Sequence, residues 1–197
     1  MWDYKTPGIP DEFFIKREGV PGPTKEEIRV ITISKARLRK GAIVADVGCG
    51  VGGLTIEAAF QVGSEGRVFA IDENEEAVKI TMENVLRFGV QGIVNVIHGR
   101  APEALLQLPT MDAVLVGGSK ALRQVLEAAH ERLKVGGRIV VNAIMLNTCW
   151  EALKWIKHLG FSEVDVTTVF VAKGRWIESG VMMIARNPIT IIAATKV

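Results

Sequence analysis

From residue 43 onward, short apolar runs alternate with longer segments whose apolar residues recur every three or four positions. The runs IVADV (43–47), RVFAI (67–71), IVNVI (93–97), DAVLV (112–116) and RIVVNAIML (138–146) are continuous enough for strands buried on both faces. Between them LTIEAAFQV (54–62), EEAVKITMENVLRF (75–88), KALRQVLEAAHERL (120–133) and CWEALKWIKHL (149–159) carry the helical period, and a short helix follows Pro102. Gly89, the pair Gly136-Gly137 and Gly160 are the expected helix stops. This alternation predicts an α/β fold, a doubly wound, mostly parallel sheet with helices on both faces. The ending departs from it. EVDVTTVFVAKGRW and VMMIARNPITIIAATK are two strand-like segments joined around Glu178-Ser179-Gly180 with no helix between, so an antiparallel C-terminal edge strand is expected. At the other end, Pro7, Pro10, Pro21 and Pro23 make residues 1–23 a surface arm or lid. Thr24 and Glu27 form a capping box that opens a helix through about Leu38, the start of a core over 24–197.

A chain of 197 residues suits a single domain, and 48% hydrophobic against 23% charged residues excludes disorder. A net charge of +2 with the charges dispersed demands no polyanionic partner. Cys49 and Cys149 lie too far apart for a C-x-x-C site, so no metal and a reducing compartment are expected. The charged, proline-punctuated start is unlike a signal peptide, and no apolar run approaches a membrane span. The expected location is the cytoplasm.

The candidate chemistry centres on VADVGCGVGG (44–53). Glycines at 48, 50 and 53 fit the dinucleotide fingerprint, and the first strand-to-helix turn of such a sheet is where nucleotides bind. Three features favour S-adenosylmethionine over a dinucleotide. Asp46 puts a carboxylate near the turn, which suits a cationic ligand better than a pyrophosphate. Gly52 extends the pattern to D-x-G-x-G-x-G, that of adenosylmethionine-dependent methyltransferases. The ending without a crossover helix matches that fold. Asp72 can accept ribose hydroxyls of either ligand. Simpler structural roles remain: Asp46 paired with a lysine, Asp72 or Thr24 as helix caps, and Gly52-Gly53 as a packing contact.

The segments GIPDEFF (8–14), VPGPTKEEIR (20–29), FAIDEN (69–74), APEALLQLP (101–109), DAVLVGGS (112–119), GGRIVVNAIMLNT (136–148), AKGR (172–175) and MMIARNPITII (182–192), with the glycine turn, resemble the cobalt-precorrin-6B methyltransferases of cobalamin synthesis. That resemblance implies methylation of carbon 15 of the ring with decarboxylation of an acetate side chain. It implies a tetrapyrrole substrate, a homotetramer, and adenosylmethionine contacts at Thr24, at Gly48, Cys49, Gly50, Val51 and Gly52, at Asp72 and at Ala101. One departure is Gly99-Arg100-Ala101 where the family has Gly-Asp-Ala. Arginine only donates hydrogen bonds, so weakened adenine recognition is expected.

A sulfonium donor is already activated, so alignment and exclusion of water matter more than a base, and no catalytic residue is named. Lys16, Arg17, Lys173 and Arg175 are candidates for the ring's carboxylates. His98, His130 and His158 lack ligand spacing, and Ser119 reads as a helix N-cap. Trp150 and Trp155 suit the core or a subunit contact. The apolar last hairpin could join subunits. The alternative reading is a methyltransferase of RNA or of a protein side chain. One tyrosine, 6% aromatics and no basic stripe speak against nucleic acid.

Overall fold

The computed structural model describes residues 1–197 other than Met1, Asp3 and Ser119, so the cap expected at Ser119 lies outside the described residues. Strands β1 (Ile43–Val47), β2 (Arg67–Asp72), β3 (Val94–His98), β4 (Met111–Val116) and β5 (Leu133–Ala143) run parallel in the order β3-β2-β1-β4-β5. All of β1 beyond Ile43 is buried, as its unbroken apolar run requires. Helices α1 (Glu26–Ala36), α2 (Gly53–Val62) and α3 (Glu75–Arg87) pack on one face through Ile33, Ile56 and Val85. Helices α4 (Glu103–Leu106), α5 (Leu122–Arg132) and α6 (Leu146–His158) pack on the other through Leu105, Leu126 and Ile156. Among the described residues no helix is long and apolar enough to cross a membrane.

The terminal region is more divided than the two-segment expectation. It forms β6 (Ser162–Val169), β7 (Ala172–Ile177), β8 (Gly180–Ala185) and β9 (Ile189–Thr195). The reversed last strand is present, but it enters one place in from the edge, between β5 and β6, and β6 is outermost. There its Ile191–Ala194 stretch is fully buried, which an edge position would not allow. The ribbon then leaves the sheet. Pro188, which has no N–H for a ladder, separates β8 from β9, and β7 pairs with β8 alone. Phe170, Trp176 and Met183 stand exposed on this projection.

Two helix boundaries also differ. Gly136-Gly137 does not stop α5; β5 begins directly after Arg132, and the pair lies inside a register shift of β5 against β4. The capping box at Thr24 and Glu27 does not form. Lys25 holds the cap position without a side-chain bond, and the Glu26 amide donates to Asp11 Oδ1 at 3.0 Å. A carboxylate fifteen residues away has displaced the local cap.

The reason lies in a buried cluster that ties the proline-rich arm down. Arg29, fully buried on α1, donates to Asp11 Oδ1 at 2.7 Å, to Glu57 Oε1 at 3.3 Å, and to the carbonyls of Ile9 and Thr24. Glu57, buried on α2, also accepts the amides of Gly8 and Ile9. Ile9 and Phe14 are buried beside it, and the guanidinium sits 4.8 Å above the Phe14 ring. The arm is therefore part of the core face, not a free flap. Removing one partner strands the other charge out of water. Glu57→Gln is expected to lower unfolding free energy by about 3 kcal/mol in urea titration, with faster tryptic cleavage at Lys16 and Arg17. A loss under about 1 kcal/mol would mean that Asp11 suffices as the counter-ion.

Candidate functional site

The strands present their carboxyl ends to a cavity of about 480 Å³, a size typical of small-molecule sites. Its floor is the β1–α2 turn, its sides the loops after β2, β3 and β4, and its cover Val20–Gly22 and Thr24 of the arm. Of the residues singled out from sequence, Thr24, Gly48, Cys49, Gly50, Asp72 and Ala101 line it. Asp46, Val51 and Gly52 do not; they lie beneath.

The turn is held rigid by its own hydrogen bonds. The amides of Gly48 and Cys49 both donate to Ile71 O, and that of Gly52 to Cys49 O. The Gly50 amide donates to Asp72 Oδ2 at 2.9 Å. From α3, Thr81 Oγ1 donates to Gly50 O at 2.7 Å and Asn84 Nδ2 to Val51 O at 2.9 Å. Asn84 also exchanges hydrogen bonds with the backbone of Ile15, which joins arm and turn. Gly48, at φ 71°, is pressed so close to the next loop that a Cβ would lie 2.6 Å from Gly118 O. Gly53, the first residue of α2, faces Pro23, whose Cβ would be 2.9 Å from an added methyl. The arm thus sits on the helix N-terminus where a dinucleotide fold would receive its pyrophosphate. Most of the turn's N–H groups are already used.

Asp72 is not a helix cap: Asn74 takes that place, accepting from the Glu76 and Ala77 amides. The Asp72 carboxylate receives Gly50 and Asn74 amides and faces the cavity, as a ribose acceptor would. Asp46 is 1% exposed and pairs with no lysine. Its Oδ2 accepts from the Thr55 hydroxyl at 2.6 Å, while Oδ1 has no partner. Burial pushes its carboxyl up to about 6; the Thr55 hydroxyl holds it back and the nearby Asp72 charge adds to the rise. The Cys49 thiol is likewise raised well above its usual range by burial, Asp46 and Asp72. Asp46 therefore acts on the cavity through its charge from below, not by contact.

The start of α1 has one amide fewer for any ligand carboxylate, because Asp11 holds that of Glu26. Among the proposed substrate cations, Arg17 is bound by Glu76 and Glu83, and Lys173 by Glu26 and Glu27. Lys16 and Arg175 are exposed. His98 bonds Glu73 O at the strand end, His130 packs edge-on to Phe161, and His158 packs against Trp155. Trp155 lies against the core under Arg123, whereas Trp150 is exposed. Sequence reasoning missed Glu73, Gly117, Gly118 and Lys120, all of which line the cavity. The VGGS ending of β4 was the visible signal for Gly117, Gly118 and Lys120, and the FAIDEN segment for Glu73.

A doubly wound sheet with a reversed penultimate strand, and a cavity over a glycine turn followed by an acid on β2, define the Rossmann-like methyltransferase fold. A family model described as the precorrin methyltransferase domain matches residues 20–196, and the chain belongs to that family. A probable cobalt-precorrin-6B C(15)-methyltransferase (decarboxylating) of Saccharolobus solfataricus is 42% identical over 197 residues, 99% of this chain and 98% of that protein. The crystal structure of a precorrin 8W decarboxylase of Methanobacterium thermoautotrophicum superposes with a TM-score of 0.90 at 44% identity, covering 96% of this chain and all of that one. A precorrin-6Y C5,15-methyltransferase of Geobacter metallireducens gives 0.90 at 33% identity over the full length of both.

The buried Asp46 generates a pH-dependent expectation. Its folded carboxyl titrates above its unfolded one, so its penalty on folding is absent below about pH 4 and complete above about pH 6. Asp46→Asn should therefore gain stability over the wild type as pH rises through this window, by about 3 kcal/mol in all. A stability difference that stays flat from pH 4 to 7 in denaturant titrations would show that Asp46 carries no such burden.

Proposed function

We propose that the protein is an S-adenosylmethionine-dependent C-methyltransferase that methylates carbon 15 of cobalt-precorrin-6B and removes carbon dioxide from an acetate side chain. The observation that carries the cofactor reading is the glycine turn, most of whose N–H groups are consumed internally, with the α2 N-terminus under Pro23. A diphosphate would find few free amides in the turn and a helix end covered by Pro23. A cationic amino acid–nucleoside needs neither, and it meets the negative field of Asp72 and Asp46. The substrate reading draws on the names of the relatives from Saccharolobus solfataricus and Geobacter metallireducens, which also leave the RNA or protein alternative unfavoured.

The residues present fit such a cofactor. Asp72 would accept the ribose hydroxyls, Gly48–Gly50 would lie against the nucleoside, and the backbone at Gly99–Ala101 would meet the adenine edge. Thr24 and the arm would border the methionine end. When bound, the cofactor supplies a methyl group already activated on sulfur. The chain's part is then to fix the donor over a rigid floor, exclude water with Val20–Gly22, and align an electron-rich ring carbon with the donor. The Arg100 side chain turns to Glu73 and cannot replace the missing acceptor for the adenine amine. Self-association through the β7–β8 ribbon belongs to the same reading, because Trp176, Val181, Met183 and Ile184 are exposed there.

Incubation with cobalt-precorrin-6B and adenosylmethionine should yield a product that has gained a methyl group and lost carbon dioxide by mass spectrometry; an unaltered tetrapyrrole would refute the assignment. In calorimetry, Asp72→Ala should weaken adenosylmethionine binding by about 1–3 kcal/mol. An unchanged dissociation constant would reduce Asp72 to a brace for Gly50. Light scattering should find more than one copy per particle, and Met183→Asp should shift it toward the monomer. A monomeric wild type would remove the ribbon from the reading.

A further inference from the structure

Three loops meet over the cavity in a way the cofactor does not require. Glu73 follows β2, Arg100 follows β3 and Lys120 follows β4, and all three line the opening. In the sheet, β1 lies between β2 and β4, so its glycine turn is the floor between the loops that bear Glu73 and Lys120. Strands two places apart are roughly 10 Å apart. Lys120 nevertheless brings Nζ to 3.1 Å from Glu73 Oε1, so this ion pair is a bar across the mouth. From the other side Arg100 Nε reaches 3.4 Å from Glu73 Oε2. One carboxylate is shared by two cations, which leaves the trio a surplus positive charge. Arg17 and Lys173, by contrast, each have two glutamates.

We propose that Arg100 and Lys120 bind the carboxylates of the acceptor, and that Glu73 holds them across the cavity mouth until an acceptor carboxylate takes its place. The proposal rests on the polycarboxylate acceptor assigned above. Lys120 is 91% exposed and the Arg100 side chain 74%, and ion pairs so exposed part at little cost. Exchange of one carboxylate for another preserves the charge balance of the cations and opens the bar. The guanidinium of Arg100 presents a fork suited to a carboxylate, while Lys120 acts as a mobile point charge. Cofactor entry would be gated by the same pair, but cofactor affinity would not depend on either cation.

The test pairs kinetics with binding. For Arg100→Ala/Lys120→Ala, the KM for cobalt-precorrin-6B should rise about tenfold or more, with kcat little changed and adenosylmethionine affinity, read by calorimetry without acceptor, within about twofold. Arg100→Lys/Lys120→Arg should recover most of the loss, and Glu73→Gln should lower KM. An unchanged KM overturns the proposal, as does a cofactor affinity that falls in step with KM, since the trio would then only shape the cavity. Fluorescence quenching of uroporphyrin, an octacarboxylate tetrapyrrole, separates this from failure of the assigned reaction. Binding by the wild type that the double variant loses supports the proposal even if cobalt-precorrin-6B is not turned over, and equal binding by both proteins overturns it.

Discussion

A guanidinium shut away from water organises this molecule. Arg29 has no solvent access, so every one of its polar contacts must come from the chain: the carboxylates of Asp11 and Glu57 and the carbonyls of Ile9 and Thr24. Those groups belong to the arm, to α2 and to the lead-in of α1. Satisfying one buried charge therefore sets the relative positions of three segments. Pro23 is consequently held against Gly53, and Val20–Gly22 cover the cavity. The polar cluster does its service by specifying geometry, since burial of two acids and a base gains little net energy over apolar packing.

The second organising feature is negative charge placed where the sheet ends. Asp72 is neutralised only by amide dipoles from Gly50 and Asn74, and Asp46 retains an oxygen without any partner. Among the described residues neither forms an ion pair with a lysine, arginine or histidine. A site that sets two carboxylates beneath a cavity of about 480 Å³ suits a guest that carries the positive charge itself. Around the rim the sign reverses, where Arg100 and Lys120 share Glu73. The cavity thus presents fields of opposite sign at its floor and at its rim.

The sheet was legible because unbroken apolar runs in a chain of this length can only be satisfied between two helical layers. The strands β1 to β5 follow the runs read from sequence, apart from their ends, and Asp72 stands directly after one of them. What escaped reading has a common cause: the deciding partner is far along the chain. The local cap of Thr24 and Glu27 lost to Asp11, and Glu27 turned instead to Lys173 and Arg186. Arg29 and Glu57 each look like ordinary polar positions on amphipathic helices, with nothing nearby to announce their pairing. Asp46 was read as a carboxylate aimed at the turn, whereas its burial beneath it and its hydrogen bond from Thr55 depend on α2 packing. Glu73 and Lys120 became neighbours only through the strand order, which places β1 between their parent strands. Pro188 divides a segment that read as one strand, and nothing in that segment told that β9 would slip inside β6.

Gly48 presses against the backbone of Gly118 with no room for even a methyl group on its own Cα. The two turns behave as a keel: neither can advance on the other, and backbone hydrogen bonds from Gly48 and Cys49 to Ile71 and from Gly117 to Val47 hold them from behind. Any guest too bulky for the hollow has to be admitted from above, by displacement of the proline segment or the lysine-bearing loop. Variation in what this scaffold accepts is thereby channelled to its upper margins, while the base keeps the same contour.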